Sequence, residues 1–319
     1  ANTTGADNSA VGMQALKANT TGNYNVAFGK NSLEANTTGA SNTAIGRESL
    51  ASNTTASNNV AVGYNALLVN TTGTQNSAVG YVSQQATTTG NQNTSIGSHS
   101  LDANSTGSDN TALGQSALGS NTTASNNTAV GSIALTTNTT GTGNTAVGKD
   151  AARLITTGNY NTTVGFDSLE NTTTGTDNTA MGYYALQANT TASNNSAFGR
   201  QALAANTTGA GNTAVGTYTL DANTTGATNT ALGYAALSAN TTAANNVAVG
   251  NSALLVNTTG TENTAIGVAA LDACTTGSYN VGIGINALGA LTTASFNTGV
   301  GTGVMSAVTT GNHNVGMGY

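Results

Sequence analysis

Side chains able to do chemistry are few in this chain and stand far apart. His99 and His313 are its only imidazoles, and Cys274 is its single thiol, so no intrachain disulfide can form. In place of the Asn that usually occupies its position, Cys274 reads as a small buried residue. Twelve Asp and Glu are scattered through the sequence. The one close charged group, Lys149, Asp150, Arg153, Asp167 and Glu170, lacks the His and the aromatic trough of a polysaccharide-cleaving site. No His, Cys and Asp fall at metal-ligand spacing, and no Gly-rich phosphate loop ending in Gly-Lys-Ser/Thr occurs. The sequence therefore predicts no catalytic residues, no metal and no cofactor.

What remains for recognition is aromatic. Tyr64 and Tyr81 lie seventeen residues apart, as do Phe166, Tyr183 and Arg200 in turn. If equivalent positions stack, these become aromatic columns, one of them capped by a cation. Such columns could meet sugar rings of surface glycans or could serve stability alone. Six Lys and Arg against twelve acids, with a sequence pI near 4.5, exclude an electrostatic nucleic-acid binder. No apolar run approaches the roughly 18 residues of a membrane-spanning helix. Only 18 charged residues among 319 is far from an ordinary globular surface.

The elements that position these residues follow from one repeat of seventeen. Gly12, Gly29 and Gly46 begin a series that reaches Gly318 without a miss. Asn8, Asn25 and Asn42 begin another, ending at Asn314, and Thr4, Thr21 and Thr38 a third, ending at Thr310. The unit reads Asn-Thr-Thr-Gly-x-x-Asn-Thr-Ala-Val-Gly-x-x-Ala-Leu-x-x, with no insertion or deletion. Gly, Asn and Thr in every unit disfavour helix, whereas Asn-Thr-Ala-Val-Gly reads as a short β-strand closed by a turn. A single unit holds too little apolar surface to fold alone, but stacked copies cover one another. The expectation is an all-β parallel solenoid with one unit per coil and about nineteen coils. At ~4.7–4.9 Å per coil it would measure roughly 85–90 Å.

Stacking turns each repeated position into a ladder. The Asn series can chain its side-chain amides, and the invariant Gly can supply positive φ. Asn2, Asn19 and Asn36 open Asn-Thr-Thr sequons, but glycans ~4.8 Å apart would collide, so these too read as ladder residues. Five units carry Ala for the first Gly, and four of them (at Ala56, Ala124, Ala192 and Ala243) have Asn two places on. That pattern suggests a left-handed turn residue displaced by two positions. In the strand, the large apolar residue (Val11, Phe28, Ile45) is expected to face inward with Leu16, Leu33 and Leu50. Ala10, Ala27, Ala44 and Ala61 would then form a smooth outer stripe suited to self-association. Residues 1–319 read as a single repetitive domain, with 274–319 diverged and both ends uncapped, so that the solenoid is expected to continue into more chain or another subunit.

The core Asn42-Thr43-Ala44-Ile45-Gly46, repeated as Asn246-Val247-Ala248-Val249-Gly250, resembles the head repeats of trimeric autotransporter adhesins. The longer run from Asn59-Val60-Ala61 is similar to repeats of bacterial and phage tail-fibre-domain proteins. This resemblance spans all 319 residues and implies three parallel chains, each a left-handed β-roll, in a fibre at a cell or virion surface. The expected function is thus a structural shaft or head segment of an extracellular appendage or adhesin, associating with itself as a homotrimer or end-to-end filament. An ice-binding solenoid using ranks of Thr is the alternative, although adjacent Thr3 and Thr4 should point to opposite sides and leave one rank outward.

Overall fold

The computed structural model describes residues 2–319 and is an all-β parallel solenoid with the seventeen-residue repeat as its coil. It comprises two compact units, the first ending at Tyr160 and the second spanning Asn161–Tyr319. The first contains nine three-residue strands, from β1 (Ser9–Val11), β2 (Val26–Phe28) and β3 (Thr43–Ile45) to β9 (Thr145–Val147). The second contains ten, from β10 (Thr162–Val164) and β11 (Thr179–Met181) to β19 (Val315–Met317). Within each unit neighbouring strands are parallel and shifted by one repeat. Ala10 faces Ala27 in β1 and β2, and Thr163 faces Ala180 in β10 and β11. No described helix is long and apolar enough to cross a membrane.

The interior is narrow, and that reverses the expected sidedness of the strand. Ala27, Ala44 and Ala61 are wholly buried, whereas Phe28 is 54 % and Ile45 42 % exposed. The predicted outer Ala stripe is therefore the inner lining; only Ala10, in the first coil, is exposed. Leu33, Leu50 and Leu67 enter from the opposite wall and pack with Ala44, Ala61 and Ala78 in one core cluster. Facing a Leu, the strand has room for a methyl or less. At Gly282 and Gly299 even a methyl carbon would lie 3.1 Å and 3.0 Å from the Cγ of Leu271 and Leu288.

Each inward Leu sits in the left-handed region, as at Leu33 (φ 50°), Leu50 (φ 49°) and Leu67 (φ 52°). That backbone costs a non-Gly residue about 1–2 kcal/mol. Burying the side chain returns about 1.5–3 kcal/mol, so Leu outcompetes Gly where the turn also supplies the core. Where Leu shrinks to Ala152, Ile155 is buried three residues later in a position usually held by Asn.

The left-handed turn residue does not move between coils as the sequence suggested. Tyr24 and Ser41 (both φ 58°) follow Gly22 and Gly39 by two, just as Asn58 (φ 61°) follows Ala56. What Gly22 supplies is close approach, since a Cβ there would lie 2.3 Å from the carbonyl oxygen of Gly39.

Candidate functional site

The two Asn series build a wall of buried amides. Asn110 shows the pattern of the Asn8, Asn25 and Asn42 rank. Its Oδ1 accepts the Asn127 backbone N–H at 3.0 Å, and its Nδ2 donates to Asn93 Oδ1 at 3.1 Å and to the Ala124 carbonyl at 2.9 Å. The sequon Asn residues form a second chain, in which Asn36 Nδ2 donates to Asn19 Oδ1 at 2.9 Å and Asn53 Nδ2 to Asn36 Oδ1 at 2.8 Å. Asn19, Asn36 and Asn53 are fully buried with their amides engaged, which leaves them closed to glycosylation.

That second chain breaks at substitutions. Asn70, Asn138 and Asn257 each have a buried Oδ1 without a donor, and the next coil carries Thr87, Ile155 and Cys274 respectively at the matching position. Asn104 Nδ2 lies 3.5 Å from Thr87 Oγ1. Thr87→Asn is expected to close the chain on both sides and to stabilise those coils by about 1–2 kcal/mol. Slower amide exchange across residues 70–104 is the readout, and unchanged exchange would contradict the pairing.

The Thr ranks separate as adjacent residues should. Thr20 Oγ1 bonds the Thr37 carbonyl at 3.0 Å and Thr37 Oγ1 the Thr54 carbonyl at 3.0 Å, and both Thr are half-buried. Thr4, Thr21 and Thr38 are exposed, and their hydroxyls have no protein partner. One rank of free hydroxyls therefore runs through each unit.

Beside it lies the outer face of the strands. Phe28, Ile45, Val79 and Ile96 in the first unit, and Val164, Met181, Phe198 and Leu232 in the second, are exposed. A second outward position, two residues earlier, carries Thr, Val or Ser, as at Thr43, Val60 and Ser77. This face engages nothing inside either unit, and exposed apolar patches of such extent mark association surfaces. Its margins differ in charge. Directly after the invariant Gly, the charged residues are Lys30, Arg47, Lys149 and Arg200, all cationic. Five residues before that Gly they are Asp7, Asp109, Asp177 and Glu262, all anionic. Arg47 and Lys149 are held by Glu48 and Asp150, at 3.1 Å and 2.6 Å, so Lys30 and Arg200 carry most of the cationic character.

The aromatic residues assemble into columns. Tyr64 and Tyr81 stack with centroids 5.4 Å apart, Arg47 lies over the Tyr64 ring at 5.5 Å, and His99 meets Tyr81 edge-on at 5.5 Å. In the second unit Phe166 stacks on Tyr183 at 5.7 Å, and Arg200 lies 5.9 Å from Tyr183 and 5.4 Å from Tyr218. Within the columns the rings cover one another's faces, leaving mainly edges and hydroxyls for a partner. The Tyr184 phenol is pushed up to about 12, chiefly by its hydrogen bond with Tyr183, then by lost hydration and the charges of Tyr183, Asp167 and Glu170.

A further column escaped the sequence reading. Tyr279, Phe296 and His313 stack at 4.9 Å and 5.0 Å with their planes nearly parallel, two residues past the first Gly position. Their seventeen-residue spacing was the available signal. His99 joins a column from one place beyond the equivalent of Tyr81, so strict phase missed it.

The remaining reactive groups stay dispersed. His99 pairs locally with Asp102 at 3.1 Å, and Lys17 with Glu34 at 3.5 Å on neighbouring coils. Exposed pairs of this kind are worth ~0.2–1 kcal/mol. Cys274 is buried, with Sγ 3.6 Å from the Gly277 carbonyl, and burial pushes its thiol up to about 11. Among the described residues no group of His, Cys, Asp or Glu could hold a metal ion. Comparison with family models and with curated proteins gives no match.

Proposed function

We propose that this chain is a structural segment of an extracellular fibre, at a cell surface or on a virion, and that it associates with parallel copies of itself. The outward rank of Val, Ile, Leu, Phe and Met is the observation that carries this reading. Covering the exposed part of each such side chain contributes on the order of 1 kcal/mol. Nine or ten coils per unit then yield a sum comparable with the ~4–15 kcal/mol cost of association. Only a partner with the same axial step can meet every rank, and a second copy has that step by construction.

The charged margins favour parallel over antiparallel copies. Rotating a copy about the stacking axis sets the cationic margin of one chain against the anionic margin of the next. Reversing its direction would oppose like charges. Asp7 precedes Lys30 in the first unit, and Asp177 precedes Arg200 in the second, by the same twenty-three residues, so each unit offers one such pair on adjacent coils. Surface glycans enter this proposal only at column ends and ring edges.

The decisive measurement is mass in solution by sedimentation or light scattering. An oligomer is expected from the parent chain and a monomer from Ile45→Lys/Val79→Lys, with the circular dichroism of the solenoid retained. A monomeric parent chain would overturn the proposal. The free hydroxyls of Thr21 and Thr38 support ice binding as the second reading. Thermal hysteresis from a monomer would establish that reading in place of the fibre.

A further inference from the structure

We propose that Tyr64 and Tyr81 are an oxidative cross-linking site, at which a haem peroxidase using hydrogen peroxide joins the two phenols into a dityrosine that ties neighbouring coils. The rings occupy the same position on consecutive coils, with centroids 5.4 Å apart and planes 14° from parallel. Arg47 on one side and His99 on the other hold the pair in place. Both rings are reachable from solvent, Tyr64 being 37 % and Tyr81 54 % exposed. Neither hydroxyl has a hydrogen-bond partner that would have to be broken.

The location has a mechanical logic. Tyr81 belongs to the coil spanning 70–86, whose interior is the least regular in the first unit. Gln84 stands there in place of the inward Leu and is fully buried, and the core cluster stops at Ala78. Ser95, which replaces the core Ala of the next coil, shares a hydroxyl hydrogen bond of 2.6 Å with Ser83 and donates from its Oγ to Gln84 Oε1 at 3.2 Å. Asn70 on the same coil has the orphaned Oδ1 described above. A covalent tie from Tyr81 to Tyr64 would anchor this coil to the better-packed one before it. With one Cys in the chain, a disulfide cannot do this.

The chemistry balances. Each phenol surrenders one hydrogen atom, as a proton and an electron, to the peroxidase. The two phenoxyl radicals couple through ring carbons ortho to oxygen. The hydrogens displaced from those carbons return to the oxygens as aromaticity is restored. Two hydrogen atoms leave the protein, and one hydrogen peroxide is reduced to two waters. Tyr24 is more exposed but has Asp7 and Ser41 at its position on the neighbouring coils, so it has no intrachain partner. In the Phe166–Tyr183 column the first ring lacks a hydroxyl, and Tyr184, with its ring 3.9 Å from that of Tyr183, is the next residue in sequence, so a link there would tie no two coils.

The test treats dilute full-length protein with a haem peroxidase and hydrogen peroxide. Dityrosine fluorescence is followed by peptide mapping of the denatured single chain. A linked peptide containing Tyr64 and Tyr81, two hydrogens lighter than the sum of its parts, is expected. Tyr81→Phe should abolish it while retaining fold and stacking, as the Phe166–Tyr183 pair shows a Phe and a Tyr can stack. Slower amide exchange over residues 70–86 should accompany the link. Absence of that peptide, or coupling of Tyr64 and Tyr81 confined to bonds between chains, would overturn the assignment. The outcome is independent of whether the chain is a fibre.

Discussion

Replacing Gly165 with Val is expected to rupture its coil, at a cost of about 4 kcal/mol or more. Gly165 has φ +141°, a region essentially closed to residues with a Cβ. A Cβ added there would stand 2.5 Å from the carbonyl oxygen of Gly182, the equivalent residue on the next coil. That atom belongs to the backbone of the adjacent coil, which is itself tied to β10, where the Gly182 N–H donates to the Val164 carbonyl at 2.8 Å. The clash therefore cannot be relieved by turning a side chain. Because stability in a repeat array is local and coupled to neighbours, hydrogen exchange resolved by peptide is the right measurement. Protection should fall over residues 162–182 and fade within a few coils. Unchanged exchange and melting would contradict the turn geometry.

The second large effect is expected from the invariant Asn rank. Asn110→Leu removes the acceptor of the buried Asn127 N–H and one donor each from Asn93 Oδ1 and the Ala124 carbonyl. An unsatisfied buried backbone donor costs about 1–3 kcal/mol, and the lost bonds raise the total to about 2–4 kcal/mol. Asn121→Leu, in the other rank, should cost only about 1 kcal/mol. Its Nδ2 donates to Asn104 Oδ1 and to the Ala124 carbonyl, which also accepts from Asn110, and its Oδ1 accepts from Asn138 Nδ2, which also donates to the Gly141 carbonyl. No backbone N–H depends on it. The chain already contains such changes, with Ile155, Leu291 and Val308 in that rank, while the Asn110 rank shows no exception. Equal losses for the two variants in chemical denaturation would refute the distinction.

Much of the solenoid was legible because translation by seventeen residues imposes the same environment on Asn8, Asn25 and Asn42, and on Gly12, Gly29 and Gly46. Strand position, ladder identity and the stacking of Tyr64 on Tyr81 follow from phase alone. Ala27 and Phe28 show where phase falls silent. Alternation says that they point to opposite sides, but not which side is the interior. The usual rule that the larger apolar residue is buried pointed the wrong way. The available width is set by Leu33 and Leu50 reaching across from left-handed turns, and such turns in Leu leave no compositional mark. The aromatic columns were legible where phase was strict and illegible where His99 crossed from a neighbouring phase.

The order of residues by itself determined that this chain stacks coil upon coil. A period kept without insertion allows backbone pairing only between equivalent residues, and no coil holds enough apolar surface to stand alone. Tertiary structure decided which side of each strand became the core, because the distance across the coil admits Ala opposite Leu and nothing larger. The displaced Val, Ile and Phe side chains were thereby left facing outward, and with them the surface on which the proposed function rests.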